Sequence, residues 1–148
     1  MPAQGPLRLI KRCRLYLEKE TCKDDTIPHL TRGLYVLYQQ LRSKKKKKFH
    51  VCYIGVAGVS ATGESGIRGR LRSHTKSKKL PPWTHYSFFE VHDNISRQEI
   101  LELEGLLLRI FRHDNRIKLG NAQLGSKVLK RLSSPRNPVW KSELRSAK

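Results

Sequence analysis

Acidic residues are scarce in this sequence. The 148-residue chain has 12 Asp and Glu against 31 Lys and Arg, which gives a formal net charge of +19, and the basic residues run through the whole chain. A small domain needs a net charge of only about 2 to 8 to stay in solution. The excess of positive charge therefore predicts a polyanionic partner, and nucleic acid is the first candidate.

Cysteine is scarce as well, and long apolar runs are absent. Cys13, Cys22 and Cys52 are widely spaced and include no Cys-x-x-Cys pair, so neither a disulfide framework nor a thiolate zinc site is supported. This cysteine usage fits a reducing, intracellular compartment. The basic N-terminal region is not followed by a long apolar segment, and no run approaches the length that spans a bilayer. We expect a soluble, cytoplasmic protein.

The length fits one domain with one modest core. The sequence divides into an N-terminal adjunct segment (1–31), a core domain (32–125) and a basic C-terminal helix and tail (126–148). In the adjunct segment, leucines and aromatic residues are interleaved with Lys and Arg in a pattern that suits either a strand or a helix. No internal repeat and no second domain are evident.

Two short segments, 33–38 and 51–56, alternate apolar and aromatic residues in the way that is typical of strands. With a period of two, a hairpin pairing places Tyr35 and Tyr53 on the same side of the sheet. The intervening segment, 39–49, contains five consecutive lysines and is predicted to be a solvated loop. Lys45 and Lys46 either contact phosphates or only keep this loop in solution. A third strand is predicted for residues 84–91.

From Gly66 the pattern becomes helical. At about 100° per residue, the apolar face holds Ile67, Leu71 and His74, with Arg70 beside it. Arg68, Arg72 and Lys76 are predicted to point away from that face, as contacts for phosphate groups. Arg70 and His74 are predicted to turn toward the core side, where a charged group needs a partner or a function.

The strongest helix of the sequence is predicted from Ser96 to about Arg112. Ser96 and Glu99 match a capping box at its start. The apolar face includes Ile100, Leu103, Leu107 and Phe111, whereas Glu99, Glu102 and Arg109 lie outside it. Glu104 falls within the apolar face, where an ionised carboxylate costs several kcal/mol unless it is paired or binds a metal. Glu104 is therefore a candidate metal ligand, and a buried ion pair with Arg or Lys is the alternative.

Gly33-Leu34-Tyr35 followed by Tyr53-Ile54-Gly55 resembles the signature of the GIY-YIG nuclease superfamily, with Leu in place of Ile in the first tripeptide. Arg70 and His74, spaced four apart on a helix, come next, as the superfamily pattern requires. Glu104 in a later helix and then an Asn complete the order. The resemblance covers about residues 32–121. The lysine loop and the segment 57–66 are long for the family, which affects the substrate groove more than the core.

The resemblance implies an α/β (α+β) fold, in which a small three-stranded antiparallel sheet with the two signature strands at its centre is flanked by helices. It also implies cleavage of phosphodiester bonds with one divalent metal ion, usually Mg²⁺, with Mn²⁺ as a substitute. In that scheme Glu104 binds the metal, Tyr35 is the general base and Arg70 steadies the phosphate charge. The remaining site residues implied are Tyr53 and His74, which position or deprotonate the nucleophile, and Asn121 ahead of Asn115, which orients the site.

Chemistry supports these residue types. Mg²⁺ prefers oxygen ligands, keeps several waters and needs only one or two carboxylates in addition to substrate phosphate. Tyrosine is a poor base at its ordinary pKa of about 10. Positive charge from Arg70, His74 or a metal is expected to lower that pKa by favouring the phenolate.

The expected function is that of a metal-dependent endonuclease acting on DNA. The alternative is a noncatalytic, basic nucleic-acid-binding protein, which would give no reason for a core-facing Glu104. RNA stays a possible substrate, although the strands show no aromatic stacking motif of the kind that RNA-binding modules use. The sequence leaves the oligomeric state open, and a homodimer would suit cleavage of both strands.

Overall fold

The structure is a computed structural model that describes residues 9–24, 26–42, 46–59 and 66–112. Four strands form one antiparallel sheet: β1 (Ile10–Glu18), β2 (Gly33–Leu41), β3 (Lys48–Ala57) and β4 (His85–Val91). A short 3₁₀ helix (Lys19–Lys23) follows β1, helix α1 (Ile67–Lys76) lies between β3 and β4, and helix α2 (Arg97–Arg112) follows β4. The fold is therefore mixed α/β, as expected.

The sheet has four strands, not the three that were expected. β1 pairs with β4, and the strand order is β1-β4-β2-β3, so β2 is internal and β3 lies at one end of the order rather than at the centre. The fourth strand comes from the N-terminal segment, whose pattern left strand and helix open. Most of its side chains are exposed, so burial on one face imposes no clear alternation on β1. The proposed division of the chain into three segments stays a prediction, and residues 126–148 lie outside the described ranges.

The β2–β3 hairpin is confirmed and is longer than predicted, because its pairing continues to Leu41 and Lys48. Tyr35 pairs with Gly55, and Leu37 pairs with Tyr53, so the two tyrosines are diagonal neighbours on one face. The register shifts between Leu37 and Tyr38, where Cys52 is the additional residue of β3. Because of this bulge, Tyr53 lies on the same face of the sheet as Tyr35, whereas Phe49 and Val51 lie on the opposite face.

Apolar side chains lie on both faces of the sheet. On one face Tyr35, Leu37, Tyr86 and Phe88 form a cluster with Ile67 and Leu71 of α1. On the other face Val36, Tyr38 and Ile54 pack with Leu108 of α2. The face of α2 that was predicted to be apolar is largely confirmed, since Ile100 and Leu108 are buried and Leu107 and Phe111 pack against the sheet. The two helices therefore lie on different sides of the tyrosine strands.

The predicted capping box of α2 is confirmed. The Ser96 backbone N–H donates to Glu99 Oε2 at 2.6 Å, and the Glu99 N–H donates to Ser96 Oγ at 3.2 Å. These reciprocal bonds satisfy two donors that a helix start leaves without intrahelical partners. The bond from the Ser96 N–H, together with the Ser96 hydroxyl, lowers the pKa of the Glu99 carboxyl, which is exposed. The cap sets where α2 begins and so which of its residues face the sheet.

The first glycine of the signature has a structural role. Gly33 has φ +147°, and a Cβ at this position would clash with the backbone carbonyl of Phe89 on the neighbouring strand. A side chain here is strained and sterically blocked. Gly33 therefore permits the close approach of β2 and β4 at the start of the strand that carries Tyr35.

Within the described ranges, neither helix has the length and hydropathy that crossing a membrane would need.

Candidate active site

Three side chains from three elements meet at one end of α1. Tyr35 of β2 is joined to His74 of α1 by a hydrogen bond of 2.6 Å between Oη and Nε2. The ring of Tyr53, from β3, lies 4.8 Å from the His74 ring and 6.1 Å from the Tyr35 ring, between centroids. The hairpin register brings the two tyrosines together, and His74, four residues after Arg70 on α1, packs against them on the same face of the sheet.

Gly55 makes room for this group. A Cβ at residue 55 would lie 2.5 Å from both Cζ and Oη of Tyr35, and 2.9 Å from Cε1 of Tyr53. Real Cβ atoms do not approach other atoms so closely, and the ring of Tyr35 is held by packing on all sides. The last glycine of the second tripeptide is thus required by the tyrosine side chain that crosses it, and not by a special backbone angle.

The two tyrosines differ in their access to solvent. Tyr35 is only 1% exposed, whereas Tyr53 is half-buried. Burial raises the pKa of both phenols, and the Arg70 charge opposes this without overcoming it. The expected lowering of the tyrosine pKa by neighbouring positive charge is therefore not found in the protein alone, because desolvation outweighs that charge. Tyr35 and Tyr53 are neutral phenols at neutral pH, and Tyr53 is the one in contact with solvent.

His74 is half-buried, and burial together with the Arg70 charge lowers the pKa of its imidazole. The ring is therefore neutral near pH 7. In the tautomer that carries hydrogen on Nδ1, the Tyr35 hydroxyl donates to Nε2, and His74 is a proton acceptor for that phenol.

Trp83 fixes the end of α1 that carries His74, a role that sequence reasoning missed. Its Nε1 donates to the backbone carbonyl of His74 at 3.4 Å, and its ring is buried. Lys19 Nζ lies 4.6 Å from the centroid of the same ring. A tryptophan after two prolines is recognisable as a core residue, but its partner is visible only in three dimensions.

Glu104 brings a carboxylate to this group from α2. It is half-buried, and desolvation raises its pKa while the charge of Arg70 lowers it. Its negative charge in turn raises the pKa of Tyr35 and of Tyr53, so it lies near both phenols. Glu104 and Arg70 form no ion pair within the described part of the chain, so the alternative of a paired core carboxylate is not supported there.

Arg32 anchors the turn before α2 through hydrogen bonds, a role that sequence reasoning missed. Its Nη2 donates to the carbonyl of Ile95 at 2.9 Å and its Nε donates to the carbonyl of Gly58 at 3.3 Å. The end of β3 and the turn before α2 are thus tied to the residue that precedes β2. A lone arginine beside a strand gives no signal of such contacts, because the carbonyl groups belong to distant segments.

The basic residues of α1 are arranged differently from the prediction. Arg70, expected on the core side, is exposed, although its charge acts on Tyr35, Tyr53, His74 and Glu104. Arg68 and Arg72, expected to point outward, are half-buried, and Arg72 Nη2 donates to the carbonyl of Lys23 at 2.8 Å. The reason is that the 3₁₀ helix packs against α1 on its outer side. Lys76 is exposed as predicted.

The remaining candidate residues are either exposed or outside the described ranges. Lys46 is exposed just before β3. Lys45, Asn115 and Asn121 lie outside the described residues, so their predicted roles stay predictions.

Within the described ranges, Glu104 is the carboxylate available for a metal ion at this site. Among the described residues, no group of three or more His, Cys, Asp or Glu side chains is arranged to hold a cation. A half-buried carboxylate that forms no ion pair with another described residue fits Mg²⁺ or Mn²⁺ bound mainly through water and substrate oxygens, which needs few protein ligands. Glu104 is thus the residue that fits this role.

The pKa of His74 is expected to lie below 6.5 and to rise when Arg70 is replaced by Gln, because the neighbouring positive charge disfavours imidazolium. Since the unfolded chain binds the proton more readily, this histidine reduces the free energy of unfolding as pH falls from 6.5 to the folded pKa. NMR titration of the imidazole signals, assigned with His74→Gln, measures this pKa. A value at or above 6.5, or no response to Arg70→Gln, would contradict the described geometry.

No protein-family model matches this sequence, and neither a curated protein nor a solved structure is significantly similar to it.

Proposed function

We propose that this protein is a metal-dependent endonuclease of the GIY-YIG type, which hydrolyses phosphodiester bonds in DNA. The observation that carries the proposal is the contact of Tyr35 and Tyr53, from a hairpin, with His74 of α1. The charges of Arg70 on α1 and Glu104 on α2 act on this group. Ordinary core packing needs no such combination of two phenols, an imidazole, a guanidinium and a carboxylate. These are also the residues of the resemblance in the sequence.

Glu104 is the metal ligand in this proposal. A divalent ion bound there would supply positive charge that stabilises the attacked phosphate. The cost of keeping a carboxylate half-buried is then explained, because the charge is used for binding. Arg70 contributes a second positive charge at the solvent-exposed opening of the site, where a phosphate group of DNA can reach it.

The tyrosines and His74 move the proton of the attacking water. Tyr53, the phenol with solvent access, takes this proton as its own hydroxyl proton passes to Tyr35 Oη, and the Tyr35 proton passes to His74 Nε2 over the 2.6 Å hydrogen bond. The resulting hydroxide equivalent attacks the phosphorus atom as the bond to the leaving oxygen breaks, the proton of the water ends on the imidazole, and the leaving oxygen takes a proton from solvent. This assignment differs from the resemblance, in which the first tyrosine meets the water directly, because Tyr35 is 1% exposed. General-base assistance of this kind contributes about 10²- to 10⁴-fold to a rate.

Replacing Arg70 by Gln is expected to lower the rate of plasmid nicking in Mg²⁺ by about 100-fold, whereas Arg72→Gln should change it by less than about fivefold. Both variants remove one positive charge from α1, but only Arg70 acts on the tyrosines, His74 and Glu104, while Arg72 is bonded to the Lys23 carbonyl. The measurement is the conversion of supercoiled plasmid to nicked or linear product, with a chelator control.

The matched pair also controls for contaminating nuclease, since both variants are purified in the same way. Equal activity of the two variants would remove Arg70 from the mechanism. Salt-sensitive DNA binding by the wild type, with every substrate left intact in Mg²⁺ and Mn²⁺, would favour the alternative of a noncatalytic nucleic-acid-binding protein.

A further inference from the structure

A cluster of four aromatic rings lies on the sheet face opposite Tyr35, and the proposed active site does not use it. Each strand contributes one ring: Tyr16 from β1, Tyr38 from β2, Phe49 from β3 and His85 from β4. The Tyr16 ring stacks on Phe49 with centroids 4.8 Å apart and an interplanar angle of 21°, and it lies 5.0 Å from Tyr38. His85 meets the edge of Phe49 at 4.9 Å. We call these four residues the aromatic platform.

Tyr16 is held over the other rings of the platform by an unusual backbone conformation. Its φ is +54°, a left-handed conformation that L residues seldom adopt, and it lies where the β1 register shifts between Arg14 and Leu17. The Tyr16 N–H donates to Oγ of the buried Ser87 at 3.0 Å. Bulges re-aim side chains, and strained residues of this kind cluster at functional sites. The bulge turns the Tyr16 ring across the sheet toward Phe49.

The outer face of the Tyr16 ring is open to solvent. Tyr16 is 50% exposed although its inner face is stacked on Phe49, whereas Tyr38 beneath it is 9% exposed. An aromatic ring that is immobilised on one face and exposed on the other loses little conformational entropy when a planar group stacks on it. The shape suits a nucleobase, since every base has a π-face.

Positive charge lies at the Phe49 end of the platform. Lys46 and Lys47 are exposed shortly before Phe49 in the chain. Arg14 pairs with Phe88 and so lies on the opposite face of the sheet, with Tyr35. Glu18, which pairs with His85 in the sheet, is the exposed acid at this end of β1. Aromatic rings with surrounding cations are the combination that binds single strands, through base stacking and phosphate contacts.

We propose that the aromatic platform is a binding site for single-stranded DNA, in which a base stacks on the outer face of Tyr16 and the exposed Lys46 and Lys47 contact the phosphates. Duplex DNA cannot use this site, because its bases are already stacked on one another. The role of this site rests on the proposed endonuclease function: the site selects substrates in which a single-stranded segment adjoins the duplex to be cut.

Fluorescence anisotropy with labelled oligothymidylate of about ten nucleotides tests the site, in a chelator and without divalent metal. Tyr16→Phe keeps the π-face and is expected to bind within about twofold of wild type. Tyr16→Leu keeps an apolar cover over Phe49 but has no π-face, and its affinity is expected to fall about 5- to 100-fold. Blunt duplex binding should be the same for all three proteins. Lys47→Gln should reduce the salt dependence of oligothymidylate binding by about one phosphate contact.

Unchanged oligothymidylate binding by Tyr16→Leu would overturn the proposal, and Tyr16 would then only cover the core. An equal loss of duplex binding would overturn it too, since the Tyr16 effect would then not depend on a single strand. Tighter binding of oligouridylate than of oligothymidylate would assign the site to RNA and refute the DNA proposal. Because no metal is present, these results do not depend on cleavage. Failure of the endonuclease proposal would instead appear as intact plasmid, flapped and branched DNA in Mg²⁺ and Mn²⁺ with the Tyr16 effect on binding preserved.

Discussion

Replacing Glu104 by Gln is expected to reduce the rate of DNA cleavage by about 1000-fold or more, which corresponds to about 4 kcal/mol of transition-state free energy. The substitution keeps the size of the side chain and removes the charge that would hold a divalent ion. The fold should not suffer. Burial raises the pKa of this carboxyl, so its ionised form opposes folding at neutral pH, and the free energy of unfolding should stay the same or increase.

Glu102→Gln is the matched control for this experiment. Glu102 lies on the same helix, is exposed, and accepts a hydrogen bond only from Gln98 at 3.5 Å among the described contacts. The Glu102→Gln variant should cleave DNA at the wild-type rate. Plasmid cleavage and urea unfolding measure the two effects, and Mn²⁺ binding should weaken in Glu104→Gln alone. Full activity of Glu104→Gln would refute the metal role. Lost activity with equally lost stability would instead identify Glu104 as a structural residue.

Tyr35→Phe is the second substitution with a large expected effect, a loss of about 100- to 1000-fold in cleavage rate. It removes only the hydroxyl that is bonded to His74 Nε2, and so it interrupts the path between Tyr53 and the imidazole. The ring packing is kept, because Tyr35 is buried and Phe fills the same space. The lost hydrogen bond should cost about 1 kcal/mol of stability.

Tyr86→Phe provides the comparison on the neighbouring strand. Tyr86 is also buried, but its hydroxyl is hydrogen-bonded to Thr21 at 2.9 Å and not to a residue of the proposed site. Both variants should therefore lose similar stability, while only Tyr35→Phe loses activity. Single-turnover cleavage and thermal unfolding, measured together, separate the two. If the variants lost activity in parallel, the Tyr35 hydroxyl would have no role beyond folding.

The tyrosine hairpin and α2 were predictable because local signals specify them. Strand alternation and the spacing of the tripeptides placed Tyr35 and Tyr53 on one face, and the Ser96–Glu99 capping box fixed the start of α2. The pattern of α2 then placed Glu104 within its apolar face. These features depend on periodicity and on neighbours within a few residues, which the sequence contains directly.

The basic residues of α1 were harder to predict, because their surroundings come from distant segments. A helical projection separates a core side from an outer side, yet the 3₁₀ helix after β1 covers part of the outer side and accepts a hydrogen bond from Arg72. Arg70 remains exposed because the site opens to solvent at its position. The contacts of Trp83 and Arg32 could not be predicted for the same reason, because they join segments that local sequence patterns do not connect.

The sequence by itself determined the shared face of Tyr35 and Tyr53, the helix starts and the residue types that could form a site with Glu104. The tertiary structure decided the fourth strand, which pairs through its backbone with β4 and leaves its side chains exposed, so that hydropathy could not reveal it. It also decided which tyrosine faces solvent and that both phenols stay neutral. Burial outweighs the nearby charge of Arg70 there, and burial depends on how distant segments pack.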